Sequence, residues 1–176
     1  MISFKFNATK FASAVAYFAK RKQLITKKEI CKLMFFADQT HLLLYGRTIT
    51  GDKYNALPQG PIPSMGLDML NQKHSAPIEY LEIMKRFGSL NGNAFVPLCE
   101  PDRTVFSRSD LKALEATMDS YGHLSAKELE DLSHKEQAWV KAEIPNRMDF
   151  DLFFEGHPEA QEMRQIVNIA FSEAVS

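Results

Sequence analysis

Asp38 and His41 stand three residues apart in "FFADQTHLLLYG". On a helix that spacing makes them neighbours on one surface. A carboxylate beside an imidazole can orient a general base or supply part of a metal site. Neither chemistry is completed elsewhere in the chain. There is no G-x-S-x-G, H-E-x-x-H, G-x-G-x-x-G or phosphate-loop motif to add a nucleophile or a nucleotide cradle. Histidines 41, 74, 123, 134 and 157 form no H-x-x-x-H pair, and Cys31 and Cys99 form no C-x-x-C. No metal and no cofactor are therefore expected. His41 also falls on an apolar stripe. That favours a structural pair, with Asp38 orienting a partly buried His41 and satisfying polar groups next to a glycine turn. A hydrolase built on Asp38 and His41 is the alternative.

The element that carries the pair is strongly marked. Thr26 and Glu29 form a Thr-x-x-Glu capping box, and Gly46 offers the stop. Between them Ile30, Leu33, Met34, Ala37, His41, Leu44 and Tyr45 share one face, and Cys31, Phe35 and Leu42 another. A helix apolar on so much of its girth is expected at the centre of the core. An earlier helix runs through "KFASAVAYFAKRKQ", with Thr9 as the expected cap and basic residues in its last turn. Later helices are expected from Ser107–Asp110 to Gly122, after capping boxes Ser125/Glu128 and Ser133/Glu136, and from Pro158. "IEYLEIMKRFGSL" fits helix or strand. "NGN" at 91–93 followed by "AFVPLC" reads as a hairpin, with Pro97 implying an edge or bulge. The whole is a mainly helical α+β single domain, residues 1–176, with a central buried helix and a small antiparallel sheet or hairpin.

"ITGDKYNALPQGPIPS", 49–64, places two glycines and three prolines after the central helix. Gly51 permits a positive φ, Pro58-Gln59-Gly60 suits a turn starting at Leu57, and Pro61 and Pro63 hold the chain extended. The expected result is a turn, a short strand, a second turn and a helix start in one rigid connection.

The composition is that of an ordinary globular chain, 45% hydrophobic and 24% charged, with a net charge of −1. No global positive field would attract nucleic acid or an anionic membrane. "KRK" at 20–22 and "KK" at 27–28 could form a DNA-contacting patch, but two solvated helix ends explain them better. Both cysteines read as small buried apolar residues of a reducing compartment. No apolar run is long enough to span a bilayer, and "FASAVAYFA" precedes its basic residues, the reverse of a secretory signal. A cytoplasmic protein is expected.

Two blocks carry a family resemblance. "KLMFFADQTHLLLYGRTITGDKYNALPQGPIPS" resembles the signature of the Panacea domain, also called SocA-like or GepA-like, and "LSAKELEDLSHKEQAWVKA" resembles its second block. The resemblance spans about residues 24–142. The matching positions are Asp38, His41, Tyr45, Gly46, Thr50, Gly51, Asp52, Tyr54, Gly60, Pro61, Pro63, Ser64, Ser133, His134 and Trp139, for which a structural role is expected. What the resemblance implies is a non-enzymatic antitoxin of a bacterial or prophage toxin–antitoxin system. Its partner would be a cognate toxin, bound directly, with one branch of the family acting as an adaptor to a protease. A DNA-binding operon regulator is the alternative among binding proteins. Oligomeric state is not legible.

The segment after Pro145, residues 145–176, lies outside the resemblance and reads as an extension whose removal leaves a folded domain. Its Phe150, Leu152, Phe153 and Phe154 crowd an acidic stretch without helix or strand periodicity. They either cap the core or present an acidic-aromatic surface to a partner.

Overall fold

The computed structural model describes residues 1–173. Its order is α1 (Ala8–Arg21), α2 (Lys27–Tyr45), β1 (Tyr54–Leu57), β2 (Gly60–Pro63), α3 (Ser64–Leu70), α4 (Ile78–Phe87), β3 (Gly88–Asn91), β4 (Ala94–Pro97), α5 (Arg108–Tyr121), α6 (Ala126–Ser133), α7 (Gln137–Val140) and α8 (Gln161–Glu173). This is the mainly helical α+β domain the sequence predicts. The ambiguous segment at 78–90 is both things in turn, a helix to Phe87 and then a strand.

Helix α2 is the axis of the molecule. Its capping box forms as expected, with Glu29 N–H donating to Thr26 Oγ1 and the Thr26 N–H donating to Glu29. Gly46 closes it in the left-handed region at φ 75°. Helices α5 and α6 and strand β2 pack around it, with α8 and a 3₁₀ turn at Phe150–Phe154 also touching it. The buried stripe ends at Leu42: Leu44 and Tyr45, expected on it, are 58% and 43% exposed, because the last turn of α2 projects beyond the core. Helix α1 starts two residues earlier than Thr9 implied. Asn7 is the cap, its Oδ1 accepting the Lys10 N–H at 2.9 Å.

Two antiparallel hairpins complete the fold. In β1–β2, Leu57 faces Gly60 and Tyr54 faces Pro63. A two-residue loop makes 57/60 the closely bonded pair, so by alternation residues 54 and 56 turn their backbone groups away from β2, and residues 61 and 63 away from β1. The first half of this is visible directly: Ala56 N–H donates to Asn146 O and Tyr54 O accepts from Met148 N–H. The second half explains the prolines. Pro61 and Pro63 occupy the two positions of β2 whose N–H would have pointed outward, so no ladder bond is lost and the edge is blunted. Pro97 holds the same outward kind of position in β4, where Phe95 reaches across to Ile25 O at 2.9 Å.

Two expectations fail for tertiary reasons, and the packing of the tail, left open by the sequence, is decided. Ser133 does not open a helix with Glu136; it is the last residue of α6, and its hydroxyl donates back to Glu130 O at 2.8 Å. Cys99 is exposed, lying in the loop beyond β4, whereas Cys31 is buried as expected and its thiol is pushed up to about 12 by that burial. The segment after Pro145 is part of the core. Met148, Phe150, Phe153 and Phe154 are buried, and the Phe153 ring lies 5.4 Å from Phe35 and 6.0 Å from Tyr54. Burying each such ring contributes roughly 1.5–3 kcal/mol, so a chain cut at Pro145 loses a substantial part of its core.

Candidate functional site

Asp38 and His41 are both fully buried, and they do not serve each other. Asp38 Oδ1 accepts the N–H groups of Ile49 at 2.7 Å and Thr50 at 2.9 Å. Its Oδ2 accepts the Thr50 hydroxyl at 2.5 Å and the Tyr54 hydroxyl at 2.8 Å. One carboxylate thus holds the loop after α2 and the start of β1 against the helix. Burial pushes this carboxyl up, and the Thr50 and Tyr54 donors pull against that push. His41 bonds elsewhere. Its Nδ1 lies 2.7 Å from Arg47 O and must donate, since a carbonyl only accepts. Its Nε2 lies 2.9 Å from Ser109 Oγ and 3.2 Å from Asp110 Oδ1. Asp38 therefore does not orient His41, as the spacing suggested; each ties α2 to a different element.

Asp110 is a junction that the spacing alone did not reveal. As the capping-box residue of α5 it accepts the Ser107 N–H, and its buried carboxylate also meets Lys10 Nζ at 2.6 Å and an Arg47 nitrogen at 2.8 Å. Burial works to raise this carboxyl, but His41, Lys10 and the Ser107 N–H together hold it well below the usual carboxylate range. Through this one group α1, α2, the 47–48 turn and α5 are joined.

Gly51 and Asp52 form the next link. A Cβ at Gly51, φ 73°, would lie 2.1 Å from Lys5 O, so the N-terminal segment crosses directly over this residue. Asp52 accepts the N–H groups of Met65 at 3.0 Å and Gly66 at 2.7 Å, the first turn of α3. It caps that helix from a distance, where Pro63 has no side chain to do so. Ser64, the first residue of α3, donates its N–H to Lys53 O at 2.8 Å. Burial, with Asp38 nearby, pushes the Asp52 carboxyl up to about 7 against the pull of three backbone donors.

The two sequence blocks meet at the β1–β2 turn. Trp139 Nε1 donates to Leu57 O at 2.9 Å, and the His134 ring stacks on Trp139 with centroids 4.1 Å apart. Gly60 holds φ 97°, and a Cβ there would lie 2.6 Å from both Lys32 Nζ and Ser133 Oγ. Lys32 is the residue the sequence reading missed. It is fully buried, donates to Pro61 O at 3.0 Å, and burial lowers its ammonium to about 8. The available signal was a lone lysine between apolar neighbours in "ICKLMFF", on a helix apolar nearly all round.

A model of the family described as antitoxin SocA-like, Panacea domain, matches residues 30–140. The chain belongs to that family. Neither the comparison with curated proteins nor that with solved structures returns a match. Asp38, His41, Thr50, Gly51, Asp52, Tyr54, Gly60, Pro61, Pro63, Ser133 and Trp139, the positions on which the resemblance was read, lie at joints between elements, where their polar atoms bond within the protein or their backbone allows a close approach. Tyr45 is half exposed, its ring 4.8 Å from that of His41. Phe150, Phe153 and Phe154 are buried and Leu152 is half-buried, so in this arrangement the three rings are core and present no surface.

Four of the five cations of the basic clusters are ion-paired, and Lys27 donates to Asn71 Oδ1 at 3.0 Å. Lys20, Arg21, Lys22 and Lys28 meet Glu100, Asp119, Glu29 and Glu130 respectively. Among the described residues no group of three His, Cys, Asp or Glu side chains converges as a metal site, and no helix is long and apolar enough to cross a membrane.

Proposed function

We propose that this protein is an antitoxin that neutralises a cognate toxin by direct stoichiometric binding and does no chemistry of its own. The observation that carries this reading is the family match across residues 30–140. Two features support it. The acid and imidazole that could have been catalytic are buried and committed to backbone and side-chain partners that brace the fold. The Panacea joints give a preorganised body, which loses little conformational entropy when a partner binds. The contact surface is drawn from exposed side chains; Phe150, Phe153 and Phe154 reach a partner only if their segment leaves the core.

Co-expression with the product of the neighbouring reading frame tests the reading. The expected result is growth rescue together with a stable complex on co-purification. Rescue without any physical association would overturn it and revive an enzymatic reading. Delivery to a protease is the adaptor form of the same activity: the toxin level then falls on co-expression and recovers in protease-deficient cells.

A further inference from the structure

A cavity of about 300 Å³ opens beside the start of α1 and is lined in part by Lys5, Asn7, Lys10, Arg47, Thr48 and Gly51. Three of these side chains are cations from two separate stretches of the chain. The acid that pairs with two of them is Asp110, which sits buried, outside the cavity lining, and takes one bond each from Lys10 and Arg47. Asp52, adjacent to Gly51 in the chain, is turned onto the N–H groups of Met65 and Gly66 instead. Lys5 is exposed and makes no ion pair among the described residues. Lys5, Lys10 and Arg47 against Asp110 leave a surplus of two positive charges at one concave place, on a protein whose net charge is −1.

The donors are not exhausted either. Of its five N–H groups the Arg47 guanidinium uses three, on Thr48 O, Ser107 Oγ and Asp110. The Lys10 ammonium uses one of its three, on Asp110. Asp110 holds both cations in place from behind, so their free donors are preorganised and not swinging in solvent. A fixed guanidinium fork with flanking ammonium groups is the arrangement that recognises phosphate oxygens.

We propose that this cavity binds a phosphate group, as orthophosphate or as the phosphate monoester of a small metabolite. A phosphate dianion matches the surplus charge, whereas a single carboxylate would neutralise half of it. This site is independent of the antitoxin reading and can be tested without a toxin.

The test is calorimetric titration of the full chain with orthophosphate and, separately, adenosine monophosphate, at constant ionic strength set by chloride. Saturable one-to-one binding is expected. Lys5→Glu should weaken it about tenfold or more, Lys5→Ala less, and Lys5→Arg little, since charge at this position acts directly on the ligand. These variants should keep the wild-type melting temperature, because the Lys5 side chain makes no hydrogen bond or ion pair among the described residues. Lys135→Glu, an exposed lysine in the turn after α6 and outside the cavity lining, is the control and should change nothing. Tighter binding of the nucleotide would identify an esterified ligand, and equal binding a free phosphate; both uphold the proposal. No saturation above the chloride background, or an affinity unmoved by Lys5→Glu, overturns it. So does an acidic peptide that binds where phosphate does not, which would assign the cavity to a partner's carboxylates.

Discussion

Replacing Asp38 separates a structural carboxylate from a catalytic one. In the folded protein it accepts four hydrogen bonds, from Ile49 N–H, Thr50 N–H, Thr50 Oγ1 and Tyr54 Oη, all buried. Hydrogen bonds to a charged group are worth about 1.5–3 kcal/mol each, so Asp38→Ala removes about 6 kcal/mol at the low end. Against that, the variant no longer buries a charge, and the upward push on the Asp38 carboxyl shows that this burial opposes folding. The net expectation is a loss of about 3–5 kcal/mol, comparable with breaking a buried pair. Asp38→Asn should cost much less, about 1–2 kcal/mol. Its carbonyl oxygen still accepts the two backbone N–H groups, and the hydroxyls of Thr50 and Tyr54 can rotate to accept from its NH₂. Urea denaturation followed by circular dichroism and by the fluorescence of Trp139 measures both. A small domain holds about 5–15 kcal/mol in all, so the alanine variant should lie at the edge of folding while the asparagine variant remains folded. Equal losses for the two variants, or no loss for alanine, would refute the account of Asp38 as the brace between α2 and the following loop.

Asp52 makes stability depend on pH with a definite sign. Its folded value, about 7, lies above the ordinary 3.8, so the folded state holds a proton that the unfolded chain releases. That contribution is complete below the ordinary value and is lost as pH rises through 7, by at most about 1.4 kcal/mol per pH unit. Asp52→Asn lacks it, so melting curves at pH 5 and pH 8 should shift in favour of the variant at the higher pH; a constant difference would contradict the assignment. Gly60→Ala must hold φ 97° and set a methyl carbon against Lys32 and Ser133, and should cost about 1–3 kcal/mol by chemical denaturation. Phe153→Ala, deep between Phe35 and Tyr54, should cost about 3–5 kcal/mol, and truncation after Pro145 should give a chain without a cooperative melt. A truncated protein that melts cooperatively would show that the last segment is an appendage after all.

What the sequence by itself determined is local. The capping boxes Thr26/Glu29 and Ser125/Glu128 form as read, and the helix expected from Ser107–Asp110 opens there, because each signal needs only four residues of chain and a helix beyond them. Gly46, Gly51 and the "NGN" turn are legible for the same reason: a backbone region that favours glycine is a property of one or two residues. The centrality of α2 followed from its apolar girth, and the family resemblance from two ordered blocks. Ser133/Glu136 shows the limit. The pattern was present, but Ser133 lies at the end of a preceding helix and under the Gly60 turn, and that placement belongs to the packing.

Only the tertiary structure decided which partners the polar residues found. Asp38 bonds to residues 49, 50 and 54, across a loop whose path no spacing rule predicts. Asp110 gathers Lys10, His41 and Arg47 from far along the chain, and Lys32 is buried because a proline-edged hairpin closes over it. The packing of the tail was left open by the sequence, since 3₁₀ turns carry no lasting periodicity and its buried rings show no pattern. Burial and hydrogen bonding across long stretches of chain are settled by competition among all surfaces at once, and a linear pattern records only the part of that competition fought between near neighbours.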